Sequence, residues 1–369
     1  MPAHAEDPLR SVVVPFDADT PPPELGRLAA ETPERWRTVD RSRHAPRLVL
    51  VPDDAGEGVA GAALVTARPD TAYLKIVDAI GDVRAAVRAV VAHARRLALA
   101  QVKWEGWTVS PAVAESEGFT ALTPPLAQPQ DAPGPPAGYV RWLSGATVPE
   151  PRYYGQSTHF TCGAVTALVA RAHAGNLPWT ALDRRAELTL WRDATNFPSC
   201  EPVGLGLAVH RAWPESAVTV HLDSEDPLFL DHLTDPERAW RTVLQDVSRE
   251  EAARAGVPVR SERLTLAAIL SGLDRRQPTL LLLSLDRMQG YDVPHWVLCH
   301  AAVPGALVID DPWAETSRGD TWVDAHLLPV PEDSLDAMST LSPGPFRGAV
   351  TLGAGAAYPG HPPSSQRTW

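Results

Sequence analysis

The chain has 369 residues, 44% apolar and 21% charged, and its 33 basic and 45 acidic side chains give a net charge of −12. That length is more than one average domain needs and suits two, and the apolar share excludes a chain disordered throughout. The acidic balance excludes an electrostatic grip on nucleic acid or on an anionic membrane, so neither partner is expected.

Three cysteines, Cys162, Cys200 and Cys299, make neither a disulfide framework nor a zinc spacing. No cofactor and no metal are expected. Met1 to Arg10 is acidic and lacks an apolar stretch, so it does not read as a signal peptide. The longest dense apolar run, Thr279–Leu285, is far too short to cross a bilayer, and a cytoplasmic location is expected. Lys75 and Lys103 are the only lysines, an Arg bias that reads as codon usage.

In chain order, Leu48–Val51, Gly61–Thr66 and Tyr73–Asp78 read as strands. Asp82 is placed as the N-cap of a helix whose apolar face is Val83, Val87, Val90, Val91, Ala94 and Ala98. A strand over Val102–Trp107 follows, then a short helix over Pro111–Glu117 that stops at Gly118. The segment Thr123–Gly138 carries six prolines, which forbid helix and sheet interior, and reads as a linker. Beyond it, helices are expected over Cys162–Ala174, Thr180–Thr195, Pro236–Ala255 and Leu264–Leu273. Strands are expected over Thr279–Leu285, His295–Val303, Leu307–Asp310 and Arg347–Leu352. The expected division is a first domain over 1–122, a linker over 123–145, a second domain over 146–352 and a loose tail over 353–369. Helices first and strands later within the second unit indicate an α+β class.

Cys162 stands at a helix N-terminus, where unpaired N–H groups and the helix dipole favour a thiolate. The bland alternative is a buried cysteine acting as a small hydrophobe. Gln156, six residues earlier, can offer a carboxamide proton to an oxyanion beside the Cys162 N–H. A thiolate nucleophile also needs a base and a group that orients it. His295 opens an apolar strand, and the next strand, joined to it through the Pro304-Gly305 turn, ends at Asp310-Asp311-Pro312. Antiparallel pairing brings the end of the second strand near the start of the first, so an aspartate there can hold the imidazole.

The segments YYGQSTHFTCGAVTAL (Tyr153–Leu168), ELTLWRDAT (Glu187–Thr195), PTLLLLSL and PHWVLCHAAVPGALVIDDPW resemble the C39-like peptidase family. The resemblance runs roughly from Arg152 to Leu352 and implies a papain-like α+β fold. It implies Cys162 as nucleophile, His295 as base, Gln156 as oxyanion donor and Asp311 as orienter, since the family's acid directly precedes a proline, here Pro312. Two positions depart from the family: Ala164 stands where Pro is usual, and His159 where an acidic residue is common. The first domain bears a fainter resemblance to the GNAT acetyltransferase fold, through Tyr73–Asp78, the helix from Val83 and AESEGF at Ala114–Phe119. Its turn at Gly81-Asp82 has one glycine and an acid that would repel a pyrophosphate, so a degenerate scaffold is expected. The expected activity is a cysteine peptidase or amide hydrolase on a peptide or small amide or acyl substrate, working through an acyl-enzyme. A thiol acyltransferase on the same site, a non-catalytic peptide-binding module and an acetyltransferase run by the first domain are the alternatives.

Overall fold

A computed structural model describes residues 11–353, except 57, 128–133, 196–197 and the side chains of 27 and 29. The first half holds β1 (Val12–Pro15), α1 (Glu34–Thr38), β2 (Arg47–Pro52), β3 (Val59–Thr66), β4 (Tyr73–Gly81), α2 (Val83–Arg96), β5 (Gln101–Glu105), α3 (Pro111–Ser116), β6 (Thr120–Ala121) and β7 (Gly138–Trp142). These strands form one sheet in the order β1-β2-β3-β4-β5-β7-β6, antiparallel except for the β4–β5 pair. The helix α2 begins where Asp82 accepts the Ala85 N–H, and its buried face of Ala86, Val87, Val90, Val91 and Ala94 packs on that sheet.

The second half holds α4 (Cys162–His173), α5 (Arg184–Ala194), α6 (Pro202–Ala212), β8 (Val218–Leu222), α7 (Asp235–Ala255), β9 (Val259–Arg260), α8 (Leu266–Asp274) and β10 (Thr279–Ser284). It continues with α9 (Asp286–Gln289), β11 (Pro294–Val303), β12 (Ala306–Asp310), α10 (Trp322–Ala325), β13 (Leu328–Pro331), α11 (Glu332–Met338) and β14 (Gly348–Leu352). The strand order is β13-β12-β11-β10-β14-β8-β9. The class is α+β, as the order of elements indicates. The helix α4 lies against β11, and every residue of it except His173 is buried. Its core joins Val165, Leu168 and Val169 to Leu280, Leu282, Trp296 and Leu298 of the sheet.

The proline-rich stretch corrects the expected division. Thr120 and Ala121 pair antiparallel with Val140 and Tyr139, and β7 also pairs along β5. The chain on either side of that stretch therefore belongs to one sheet, and it leaves that sheet only after Trp142. Prolines exclude regular structure locally but say nothing of whether the chain comes back. Near its start, Leu126 donates to the Tyr153 carbonyl and Gly155 donates to that of Ala127 (2.8 and 3.0 Å), so the stretch touches both halves. The tail expected after Gly353 lies outside the described residues.

Candidate active site

The site forms where α4, β11 and the end of β12 meet. β11 and β12 pair antiparallel with Leu298 opposite Asp310, so the chain after β12 runs past the start of β11. There His295 Nε2 stands 2.7 Å from Asp311 Oδ1. The Cys162 thiol lies in the field of the same imidazole. Thr166, one turn into α4, donates to the carbonyls of Cys162 and Trp296 (2.7 and 3.3 Å), which ties the helix start to the strand that carries His295.

The two aspartates that end β12 part company. Asp310 Oδ1 accepts the Leu327 N–H at 2.7 Å and faces His326 Nδ1 at 3.0 Å, on the side away from His295. Asp311 Oδ1 takes His295 and the Trp313 N–H, the latter at 2.8 Å. Of the two, Asp311 is the one the structure brings to the imidazole.

Electrostatics follow from this packing. Burial pushes the Cys162 thiol up, but the His295 imidazolium and N–H donors from Trp296 and Gly163 outweigh it, and the net direction is down. Burial pushes His295 down, yet Asp311 and Cys162 raise it to about 10. Burial likewise raises Asp311, and His295 and then Arg68 bring it below the ordinary carboxylate range. The arrangement favours a thiolate–imidazolium pair at neutral pH.

Gln156 is buried beside this pair, and its backbone N–H donates to the Pro312 carbonyl at 2.9 Å. Its Nε2 donates to the Thr158 carbonyl at 2.7 Å, which fixes which end of the amide is the nitrogen and leaves one proton of that NH2 unspent. The loop between Gln156 and Cys162 is held by Glu187 of α5, wholly buried. Its Oε1 accepts from the Ser157 N–H and the Thr161 hydroxyl, and its Oε2 from the Tyr154 hydroxyl (2.7, 2.5 and 3.2 Å). Sequence reasoning took Glu187 only as part of a resembling segment. A carboxylate at the head of an otherwise amphipathic helix is an ordinary sight, and nothing local marks this one as buried.

A cavity of about 520 Å³ opens over the site, lined among others by Gln156, His159, Tyr291, His295, Trp313 and Glu315. His159, one of the two departures from the family pattern, packs against the Trp313 ring in its wall, centroids 4.9 Å apart. Trp313 thus lines the cleft, but Trp296 does not. Its ring is buried, donates to the Cys200 carbonyl at 2.9 Å, and stands where a Cβ on Gly163 would meet it at 3.1 Å. The close approach that Gly163 permits is therefore core packing. Cys200 and Cys299 are buried, and burial pushes both thiols up, Cys299 to about 12. Among the described residues no cluster of His, Cys, Asp and Glu could hold a metal ion.

One member of the constellation comes from the first half. Arg68, just past β3, is 1% exposed and reaches Asp311 Oδ2 through Nη1 at 2.6 Å. Arginine in a loop after a strand gives no sequence signal for a contact 243 positions away.

Three solved structures are similar in part. A chain described as a C39-like peptidase from Bacillus anthracis has 10% identity and a TM-score of 0.30, covering 57% of this chain and 95% of its own. An acetyltransferase of the GNAT family from Staphylococcus aureus Mu50 has 12% identity and a TM-score of 0.24, covering 36% and 99%. A chain described as a GNAT-family acetyltransferase from Desulfovibrio desulfuricans has 18% identity and a TM-score of 0.21, covering 26% and 68%. A comparison with curated proteins finds no match. A family model described as Peptidase_C39 like matches residues 151–353, more than half of the chain. That span takes in Gln156, Cys162, His295 and Asp311 and leaves Arg68 outside, and by it the chain belongs to the Peptidase_C39 like family.

Proposed function

We propose that the protein is a cysteine peptidase or amide hydrolase. The observation that carries this reading is the buried set of thiol, imidazole and carboxylate at the head of α4, with His295 Nε2 2.7 Å from Asp311 Oδ1 and the Cys162 thiol in the field of the same imidazole. The Cys162 thiolate attacks a carbonyl carbon and forms a C–S bond, and the π electrons move to the oxygen. The Cys162 N–H and the Gln156 carboxamide stabilise that oxyanion. His295 passes its proton to the leaving amine, the C–N bond breaks, and an acyl-enzyme remains. Water then loses a proton to His295 and attacks the acyl carbon, and the thiolate leaves. Asp311 keeps the imidazole in the tautomer that serves both steps. The cavity walls of Trp313, Tyr291 and His159 suit an extended peptide or a small amide, and a cytoplasmic setting in which thiols stay reduced fits this chemistry.

The test is alkylation of Cys162 by iodoacetamide across pH. The wild type should react well below the ordinary thiol range, and His295→Ala should need a pH at or above that range, because burial then acts unopposed. Identical, unperturbed profiles in the two proteins would remove the catalytic pair.

A further inference from the structure

We infer that Arg68, supplied by the first half of the chain, is a positioning residue of the Cys162–His295–Asp311 site, an inference that rests on the hydrolase reading above. Asp311 has two oxygens and two tasks. Oδ1 is taken by His295 and the Trp313 N–H, and Oδ2 is taken by Arg68 Nη1 at 2.6 Å. With both oxygens engaged from different directions, the carboxylate cannot rotate away from the imidazole. The same guanidinium fork donates from Nη2 to the Trp313 carbonyl at 3.1 Å, so it also sets the indole that lines the cleft.

Arg68 is in turn aimed by its neighbours. Its Nε donates to Asp320 Oδ2 at 3.1 Å, and Nη2 lies 2.8 Å from Asp320. Asp320 accepts from Gln289 Nε2 and the Glu315 N–H (2.8 and 3.2 Å) and faces His44 Nδ1 at 3.4 Å. Tyr73 and Asp324 add to the field on Arg68, and Tyr153 and Tyr291 lie in the field of Asp311. A docking contact between the two halves would need only the Arg68–Asp320 pair. Burying a cation is costly unless its geometry does more, and here it continues to the carboxylate that holds the base.

The charge has a definite consequence. The thiolate–imidazolium pair forms when Cys162 loses its proton beside an imidazole already protonated, and a further buried cation held at the site favours that loss, so it lowers the pH at which the pair forms. Replacing it by a neutral group should move that limb up. Iodoacetate alkylation of Cys162 across pH reads the limb directly. Arg68→Gln should shift it upward by about one pH unit, while Arg68→Lys, which keeps the charge and loses the fork, should stay nearer the wild type. Asp320→Asn leaves the Arg68 charge less neutralised and should shift the limb downward. A perturbed wild-type limb that Arg68→Gln leaves in place overturns the role of Arg68 and spares the hydrolase reading. An ordinary thiol limb in the wild type overturns both. Should Arg68→Gln not fold, Asp320→Asn decides: a downward shift supports the inference, and an unmoved limb sinks it.

Discussion

Asp310 and Asp311 are neighbours in sequence, both buried and both paired with histidine, yet they serve different ends. Asp311 answers to His295, whereas Asp310 ties Leu327 and His326 to the end of β12. Substitution separates them. In Asp311→Asn the imidazolium loses its counter-charge, and each pKa unit lost is a factor of ten in thiolate, so alkylation of Cys162 at neutral pH should fall by about tenfold or more. Asp310→Asn should leave that rate in place and lower stability instead, with a sign that pH reveals. Burial raises Asp310, but His326 and His300 bring it well below its ordinary 3.8, so its contribution is present above that value and is lost on acidification. His326 is lowered by burial and raised past 6.5 by Asp310 and Glu150, so its contribution is full below 6.5 and is lost as pH rises through the folded value. The thermal-stability gap between wild type and Asp310→Asn should therefore be widest between these two values. A gap that keeps growing below 3.8 would contradict the assignment.

At the scale of elements, legibility depended on whether burial was one-sided. The helix α2 alternates apolar and polar faces, caps itself with Asp82, and was readable almost to the residue. The strands β10, β11 and β12 showed as short apolar runs with a Pro-Gly turn between the last two, and their pairing placed His295 near Asp311. By contrast α6, PVGLGLAVHRA, went unread. Its residues 202–209 are all buried, so no polar face marks a period, and Gly204 and Gly206 argue against a helix. Both glycines answer to packing. A Cβ on Gly206 would meet Val220 Cγ2 at 2.3 Å, and one on Gly204 the Ala194 carbonyl oxygen at 2.8 Å. Helix propensity favours Ala over Gly by about 1 kcal/mol, and overpacking costs about 1–3 kcal/mol. The clash is with a β-branched side chain in a core strand, so Gly206→Ala should lower the urea midpoint, and adding Val220→Ala should recover part of the loss. A Gly206→Ala protein as stable as the wild type would show that α6 stands farther from β8 than its backbone contact requires.

Across the whole molecule, the two halves share one buried polar seam, and that is what a scaffold reading of the first domain overlooked. The only two lysines of the chain lie in it, both fully buried, although composition alone marked them as incidental. Lys75 of β4 bonds Asp324 Oδ2 and Glu105 Oε1 at 2.5 and 2.7 Å. Lys103 of β5 donates to the Asp324 and His326 carbonyls at 2.8 and 2.6 Å, and burial brings it down to about 7. Tyr73 donates to Asp324 Oδ1 at 2.7 Å and packs into the core of the second sheet. None of these partners is within reach in sequence, so each side looked complete alone. A seam of this kind does not open cheaply: removing one member of a buried ion pair costs about 3–5 kcal/mol, because the other is stranded. Neither half can unfold while the other keeps Asp324, Asp311 and Asp320 satisfied. Thermal unfolding of the full chain should accordingly be a single transition, with calorimetric and van't Hoff enthalpies equal. Lys75→Met should lower its midpoint without splitting it, since Asp324 and Glu105 are then left facing each other across the seam. Two resolved transitions in the wild type would mean that the halves fold independently, and the argument that the first half completes the second would fail with them.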